Sequence, residues 1–334
     1  MPFSAQTSPA DSPSHLQSSR ACAHRLSRRT LLKGVGGLAA ASVIGGGAVV
    51  AGSAPAQAAL TVAEHEDHGR MQYYKLATSS IGWLPRVNVL LPDGYDTSRR
   101  YPVLFLLHGG GENYSTFDTK YDIRNHTAGR DLIVVMPDGG AAGWYCDPES
   151  SNVGPRNWET FHIKELLPWV DATFATTGQA SGRAVSGFSM GGFGALKYAA
   201  KHPELFGSVS CHSGPADLRI QDGAVVHWAN FTAGATDLKG GTIYGIPWDQ
   251  VRVSADNPVE HVESYRGKRI FLVSGTESDR YESVVLPSQR SFEKALDGAG
   301  IGYEHYEDTG AHIVRWGRVQ QDIDSMLNFL TKAG

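Results

Sequence analysis

The 334-residue chain reads as an α/β domain with a mostly parallel central sheet and helices on both faces. Three features predict this. From about residue 70, short β-branched and aromatic runs alternate with longer amphipathic stretches. Two of the runs, 102–107 and 132–137, are almost continuously apolar, as strands buried on both faces must be. Helical patterns then separate the later runs, the spacing that parallel crossovers require.

In chain order, 86–91, 102–107 and 132–137 are expected strands. Residues 158–174 carry Phe161, Leu166, Leu167, Val170 and Phe174 at helical spacing and form an expected crossover helix. A strand at 184–188, a helix at 190–201 and a strand at 208–212 follow. Residues 214–253 scatter Gly, Asp and Pro and are expected to run as an irregular surface excursion. The alternation resumes with a strand at 269–274, a helix at 285–299, a strand at 302–307 and a helix at 319–330. No internal repeat or Gly-Ser linker interrupts the pattern, so residues 59–334 are read as one domain.

Residues 1–58 are read as an address rather than as structure. A Ser-, Ala- and Pro-rich leader precedes Ser27-Arg28-Arg29-Thr30-Leu31-Leu32-Lys33, which resembles a twin-arginine export signal. The uncharged stretch from Gly34 to Gly52 follows, and Ala56-Gln57-Ala58 offers small residues for cleavage. Seven of those nineteen uncharged residues are Gly, which adds no apolar area and disfavours a permanent span. The expectation is a secreted protein that meets the translocation machinery transiently. Cys22 would leave with the leader. An extracellular location would permit Cys146 and Cys211 to pair, with two separate thiols as the default.

The net charge is −4, and the first 58 residues hold five basic residues against one acid, leaving about −8 on the remainder. That sign excludes a protein that tracks nucleic-acid phosphates. No H-E-x-x-H occurs, and His65-Glu66-Asp67-His68 is read as a solvated tail; neither metal nor cofactor is expected.

Gly187-Phe188-Ser189-Met190-Gly191 fits G-x-S-x-G between an expected strand and an expected helix. There the turn is so tight that side chains at the glycine positions would strike neighbouring backbone, and the helix N-terminus faces any oxyanion formed at Ser189. His108-Gly109-Gly110-Gly111 follows the 102–107 strand and leaves backbone N–H groups unobstructed, so Gly110 and Met190 are the expected oxyanion donors.

With Pro102-Val103-Leu104-Phe105-Leu106-Leu107, Val134-Val135-Met136-Pro137, Trp158-Glu159-Thr160-Phe161 and the serine elbow, residues 70–330 resemble the putative-esterase branch of the α/β-hydrolases, and most nearly its antigen-85-type mycolyltransferases. The resemblance implies an α/β-hydrolase fold and acyl chemistry on esters. Those transferases have Asp-Gly-Leu-Arg where this chain has His108-Gly109-Gly110-Gly111, and the Asp and Arg help hold the sugar acceptor. Their absence favours hydrolysis over transfer.

A serine hydroxyl needs an imidazole base, and the base needs a carboxylate to fix its tautomer. His312 lies between the last expected strand and the last helix, where the base of this fold belongs, whereas His305 lies inside the strand. The acid should follow the strand ending at Ser274. The resembled family has Gly-Thr, two residues, then the acid, which falls on Asp279; Glu277 and Glu282 are the alternatives. Trp144 and Tyr145 are candidate cleft residues. Trp228, Phe231, Tyr244 and Trp248 are candidates for an acyl-binding cover. The sequence therefore leads to an exported serine carboxylesterase acting on a small-molecule, lipid or sugar ester through Ser189, His312 and Asp279. An acyltransferase using a sugar or glycerol acceptor and an inactive esterase-like binding protein are the alternatives.

Overall fold

The computed structural model describes residues 60–332; the leader and export-type segment, 1–58, lie outside them. Nine strands form one sheet: β1 (Thr61–His68), β2 (Met71–Ala77), β3 (Arg86–Leu90), β4 (Val103–Leu107), β5 (Ile133–Pro137), β6 (Arg183–Phe188), β7 (Ser208–His212), β8 (Arg269–Gly275) and β9 (Glu304–Asp308), in the order β1-β2-β3-β5-β4-β6-β7-β8-β9. The pairs β1·β2, β2·β3 and β3·β5 are antiparallel, and every pair from β5·β4 to β8·β9 is parallel.

The central strands work as continuous apolar runs because both faces are covered. Val103, Phe105 and Leu107 of β4 join one buried cluster, and Leu104 and Leu106 join the other. The short helices α1 (Thr116–Thr119) and α2 (Ile123–His126) contribute Phe117 and Ile123 to the smaller cluster. Along the chain come α3 (Leu167–Thr173), α4 (Met190–Lys201), α5 (Ile220–Ala235), α6 (Gln250–Asp256), α7 (Glu282–Ala299) and α8 (Trp316–Leu330). Helix α8 buries Val319, Ile323, Met326 and Leu330 on the smaller-cluster face, while α4 and α7 bury Phe193, Leu196, Phe292 and Leu296 on the other.

The expected helix at 158–174 is a π-helical segment, Thr160–Leu166, running into α3. Pro168 accounts for the change of winding: it has no N–H to donate, and its ring crowds the carbonyl four residues back.

Two expectations are corrected. Residues 65–68 are not a solvated tail but the end of β1, an edge strand exposed along its whole length. A strand with no buried face has no reason to alternate apolar and polar residues, so it left no periodic signal. The excursion at 214–253 contains α5 and the start of α6. Gln221, Asp222 and Gly223 adopt left-handed φ values of 50°, 55° and 80°, and beyond them Val225, Val226, Ala229 and Ala233 bury one face of α5.

β4 pairs with β5 on one side and β6 on the other, so the connections leaving their carboxyl ends diverge to opposite sides. Such a divergence opens a crevice where ligands bind in α/β sheets. The segments after β4, β5, β6, β8 and β9 all emerge at that edge.

Candidate active site

Ser189 directly follows β6 and directly precedes α4. Its φ of 55° and ψ of −118° lie in a region that side chains avoid, and its N–H is tied to the His212 carbonyl at 2.8 Å. The flanking glycines are required by contact. A Cβ on Gly187 would lie 2.3 Å from the Gly191 carbonyl oxygen, and one on Gly191 would lie 2.1 Å from that of Leu107.

His312 sits on the loop between β9 and α8. Its Nε2 is 2.8 Å from Ser189 Oγ. The ring lies between Phe188 and Tyr281, each with centroids 4.9 Å away. On its far side, Nδ1 is 3.1 Å from Oε1 of Glu282, a side chain with no exposure.

This geometry corrects the expectation that Asp279 is the partner of the imidazole. Asp279 Oδ1 accepts the N–H groups of Tyr281 and Glu282, each at 2.7 Å, and Oδ2 accepts the backbone N–H of His312 at 2.8 Å. Bonding the second and third N–H groups beyond itself is what a helix N-cap aspartate does. Burial pushes the Asp279 carboxyl up, but the three N–H donors outweigh it and hold the group below the usual carboxylate range. Asp279 thus ties the backbone of His312 to the backbone of Glu282, while Glu282 reaches the ring. Glu277 is exposed. A signal was available: Asp279 followed three residues later by Glu282 at the head of an amphipathic stretch has the D-x-x-E form of a helix start, which marks the Asp as a cap.

The loop that carries His312 is stapled by Arg315. Its guanidinium donates to the carbonyls of Gly310 at 3.1 Å, Ala311 at 2.8 Å and Ile313 at 3.1 Å. Sequence reasoning did not single out this residue.

The backbone N–H groups of Gly110 and Met190 both line the cleft and donate to no protein acceptor among the described residues. Their loop is shaped from beneath. His108, 1% exposed, accepts the Gly139 N–H on Nε2 at 2.9 Å, so Nδ1 carries the proton and donates to the Gly109 carbonyl at 2.8 Å. Glu112 accepts the Gly109 N–H at 3.0 Å, and the Gly111 N–H donates to Ala141 at 2.7 Å. With its neighbours tied down, the Gly110 amide is left facing solvent-accessible space.

These groups surround a cleft of about 590 Å³. One wall is aromatic: Trp144 stands edge-on to Trp228 at 5.1 Å, and Trp228 stacks on Tyr281 at 5.3 Å. Trp144 Nε1 donates to Thr232 Oγ1 at 3.0 Å. Glu112, Lys120 and Tyr121 make a polar end. Of the other aromatic candidates, Tyr145 and Tyr244 are fully buried. Phe231 is 77% exposed, and Trp248 packs on His227.

A second histidine–carboxylate pair lies elsewhere. His212 Nε2 meets Asp322 at 2.9 Å, and the same carboxylate accepts from Arg269 and Ser210. Burial opposes ionisation of Asp322, but the Arg269 charge and the bonds from His212 and Ser210 bring its pKa down to about 2. All of it is buried under α8, so this is a packing cluster. Cys146 and Cys211 are separate buried thiols. No group of His, Cys, Asp and Glu suited to a metal ion occurs among the described residues.

The model of the family described as "Putative esterase" matches residues 78–330. Esterase Rv1288 of Mycobacterium tuberculosis is 56% identical over 283 residues, which cover 81% of this chain and 62% of that protein, so the chain spans less than two thirds of this relative. Among solved structures, the S-formylglutathione hydrolase from Agrobacterium tumefaciens aligns with a TM-score of 0.64 at 19% identity, over 81% of this chain and 99% of the other. MPT51 of Mycobacterium tuberculosis aligns with a TM-score of 0.62 at 23% identity, again over 81% and 99%. Both likenesses are of fold: an α/β-hydrolase sheet with the same layers.

Proposed function

The chain belongs to the esterase family whose model covers residues 78–330, and from that premise we propose that it is an exported serine carboxylesterase working through Ser189, His312 and Glu282. The observation that carries this reading is the unbroken line from Ser189 Oγ to His312 Nε2 at 2.8 Å and from His312 Nδ1 to Glu282 at 3.1 Å, opening on an apolar cleft.

Ser189 Oγ attacks the ester carbonyl while His312 Nε2 takes its proton. Glu282 holds the Nδ1–H tautomer and steadies the imidazolium. The amides of Gly110 and Met190, the second at the N-terminus of α4, bind the oxyanion. His312 then gives its proton to the departing alcohol. Water attacks the acyl-enzyme with His312 again as base, releasing the acid and restoring Ser189.

Export is part of the proposal and rests on the segment 27–58, with a mature catalytic domain from residue 59. No described helix is long and apolar enough to cross a membrane. The test is covalent. A fluorophosphonate probe is expected to label Ser189, and the full chain is expected to cleave nitrophenyl esters of graded acyl length. Ser189→Ala should lower kcat by roughly 10⁴ to 10⁶ and abolish labelling. Labelling at another residue, or an active Ser189→Ala variant, would remove the proposal. Product analysis with glycerol or a sugar present separates hydrolysis from acyl transfer.

A further inference from the structure

Outside the cleft, the antiparallel arm of the sheet carries a small pocket that shares no lining residue with it. The strand register explains the pocket. Glu64 pairs with Lys75 and Lys75 with Arg86, while Glu66 pairs with Tyr73 and Tyr73 with Asn88. Side chains directly opposite each other in paired strands share a face, so two rows of three cross β1, β2 and β3 on one side of the sheet. Together with Tyr74 and Tyr114 they line a volume of about 180 Å³.

Most of the polar groups there are already engaged. Lys75 pairs with Glu64 at 2.5 Å. Arg86 donates to the Tyr114 hydroxyl at 2.5 Å and lies over its ring. The Tyr73 hydroxyl is fixed between Asp118 and Arg124 at 3.1 and 2.8 Å. Asn88 is the exception. It is 1% exposed, yet neither its Oδ1 nor its Nδ2 has a hydrogen-bond partner among the described residues. A buried carboxamide left unsatisfied costs stability, and a leucine there would carry no such cost. A buried polar group left without a partner calls for an explanation, and a ligand that supplies the missing donor and acceptor is one.

We propose that this pocket is a binding site, separate from the ester cleft, for a neutral molecule bearing a vicinal diol, the chemistry shared by a sugar ring and glycerol. A carboxamide presents one acceptor and one donor side by side. A vicinal diol matches it with one hydroxyl donating to Oδ1 and the next accepting from Nδ2. The lining carries two carboxylates, Glu64 and Glu66, and two cations, Lys75 and Arg86, which cancel, so an ionic ligand gains little. Tyr73 and Tyr114 supply aromatic surface for the C–H edge of such a ligand, and the Glu66 carboxylate at the rim can accept a third hydroxyl.

The Asn88 side-chain NH₂ signals of the full ¹⁵N-labelled chain, assigned by their loss in Asn88→Leu, report directly on the site. Titration with methyl β-D-galactopyranoside or glycerol is expected to shift them saturably, whereas propan-1-ol, which has no diol, is not. A glycoside that binds more tightly than glycerol identifies a sugar ring as the source, and equal binding identifies an open polyol. Asn88→Leu should keep or raise Tm while weakening glycoside binding, read by ligand-detected NMR, about tenfold or more. Tyr114→Ala, at the pocket's outer wall, should weaken it with the Asn88 signals intact. Hydrolysis of nitrophenyl acetate should be unchanged in both variants, which keeps failure here distinct from failure of the esterase reading. Absence of any shift, equal response to propan-1-ol, or glycoside binding unaltered by Asn88→Leu would overturn the proposal.

Discussion

Glu282 Oε1 accepts the Nδ1 proton of His312 at 3.1 Å from the first residue of α7. Helical side chains tilt toward the N-terminus, so a first-turn residue reaches back toward the cleft while its backbone stays in the helix. In Glu282→Gln the amide NH₂ can take the place of the accepting oxygen and favour the other tautomer, leaving Nε2 protonated and unable to serve as base. A fall in kcat of about 10⁴ is expected in nitrophenyl ester assays, with folding retained. A Glu282→Gln enzyme of wild-type activity would exclude Glu282 as the acid.

Asp279 acts through the backbone, and its removal should look different. Asp279→Ala strands three N–H groups, those of Tyr281, Glu282 and His312. The expected cost is on the order of 1–3 kcal/mol in urea denaturation, with a fall in kcat far smaller than that of Glu282→Gln. The pH dependence has a definite sign. The carboxyl lies below its usual range in the fold, so its contribution is complete above the unfolded pKa of about 4 and is lost as pH falls through the folded value. Wild type and Asp279→Ala should therefore differ in stability at pH 7 and converge in acid.

The contrast between these two carboxylates marks where the sequence was legible. Strands β4, β5 and β8 were readable because burial on both faces writes a nearly continuous apolar run, and Ser189 and His312 because the turn and the last β-to-α loop leave few positions for them. The acid was not, because three carboxylates, Glu277, Asp279 and Glu282, lie within six positions, and the resembled family's spacing points to the one that the D-x-x-E pattern marks as a helix cap. β1 was invisible because neither of its faces is buried. Arg315 was invisible because its partners are carbonyl oxygens, which carry no residue-type signal.

Under the proposed mechanism Arg315 is a positioning residue for His312. One planar guanidinium reaches three carbonyls, an arrangement that a lysine ammonium cannot reproduce. Arg315→Ala is expected to lower kcat by about 10- to 100-fold with KM nearly unchanged, because a small displacement of His312 affects proton transfer more than substrate binding. Added guanidinium ion at millimolar concentration should restore part of the loss. Unchanged kcat, or a change confined to KM, would contradict this role.

Glycine at the elbow answers to contact rather than to flexibility. In Gly191→Ala the new Cβ would meet the Leu107 carbonyl oxygen at 2.1 Å and the His108 oxygen at 2.7 Å, both backbone atoms that cannot swing away. Loss of soluble, active protein is expected. Gly298 in α7 is the control, since a Cβ there meets nothing within 4 Å. Gly298→Ala should stabilise by roughly 0.5–1 kcal/mol through helix propensity, with ester hydrolysis unchanged. Thermal melts and nitrophenyl ester assays on both variants decide the matter.

The buried Asp322 cluster should govern acid stability without touching the chemistry. Asp322 accepts from Arg269 at 2.7 Å, Ser210 at 2.6 Å and His212 at 2.9 Å, and its pKa is depressed to about 2. A carboxyl whose folded pKa lies below its unfolded value contributes stability in full above about pH 4 and loses it between roughly pH 4 and pH 2, on the order of 2 kcal/mol here. Asp322→Asn leaves the buried Arg269 with only the partly exposed Glu304 carboxylate, at 3.5 Å, and should cost about 3 kcal/mol at pH 7. Because the variant has no carboxyl to protonate at this position, its stability should decline less than that of wild type between pH 5 and pH 3. His212 also holds the Ser189 N–H, but through its backbone carbonyl, so fluorophosphonate labelling of folded Asp322→Asn at pH 7 should proceed at the wild-type rate. Parallel pH–stability curves for the two proteins would show that Asp322 is not the group that titrates.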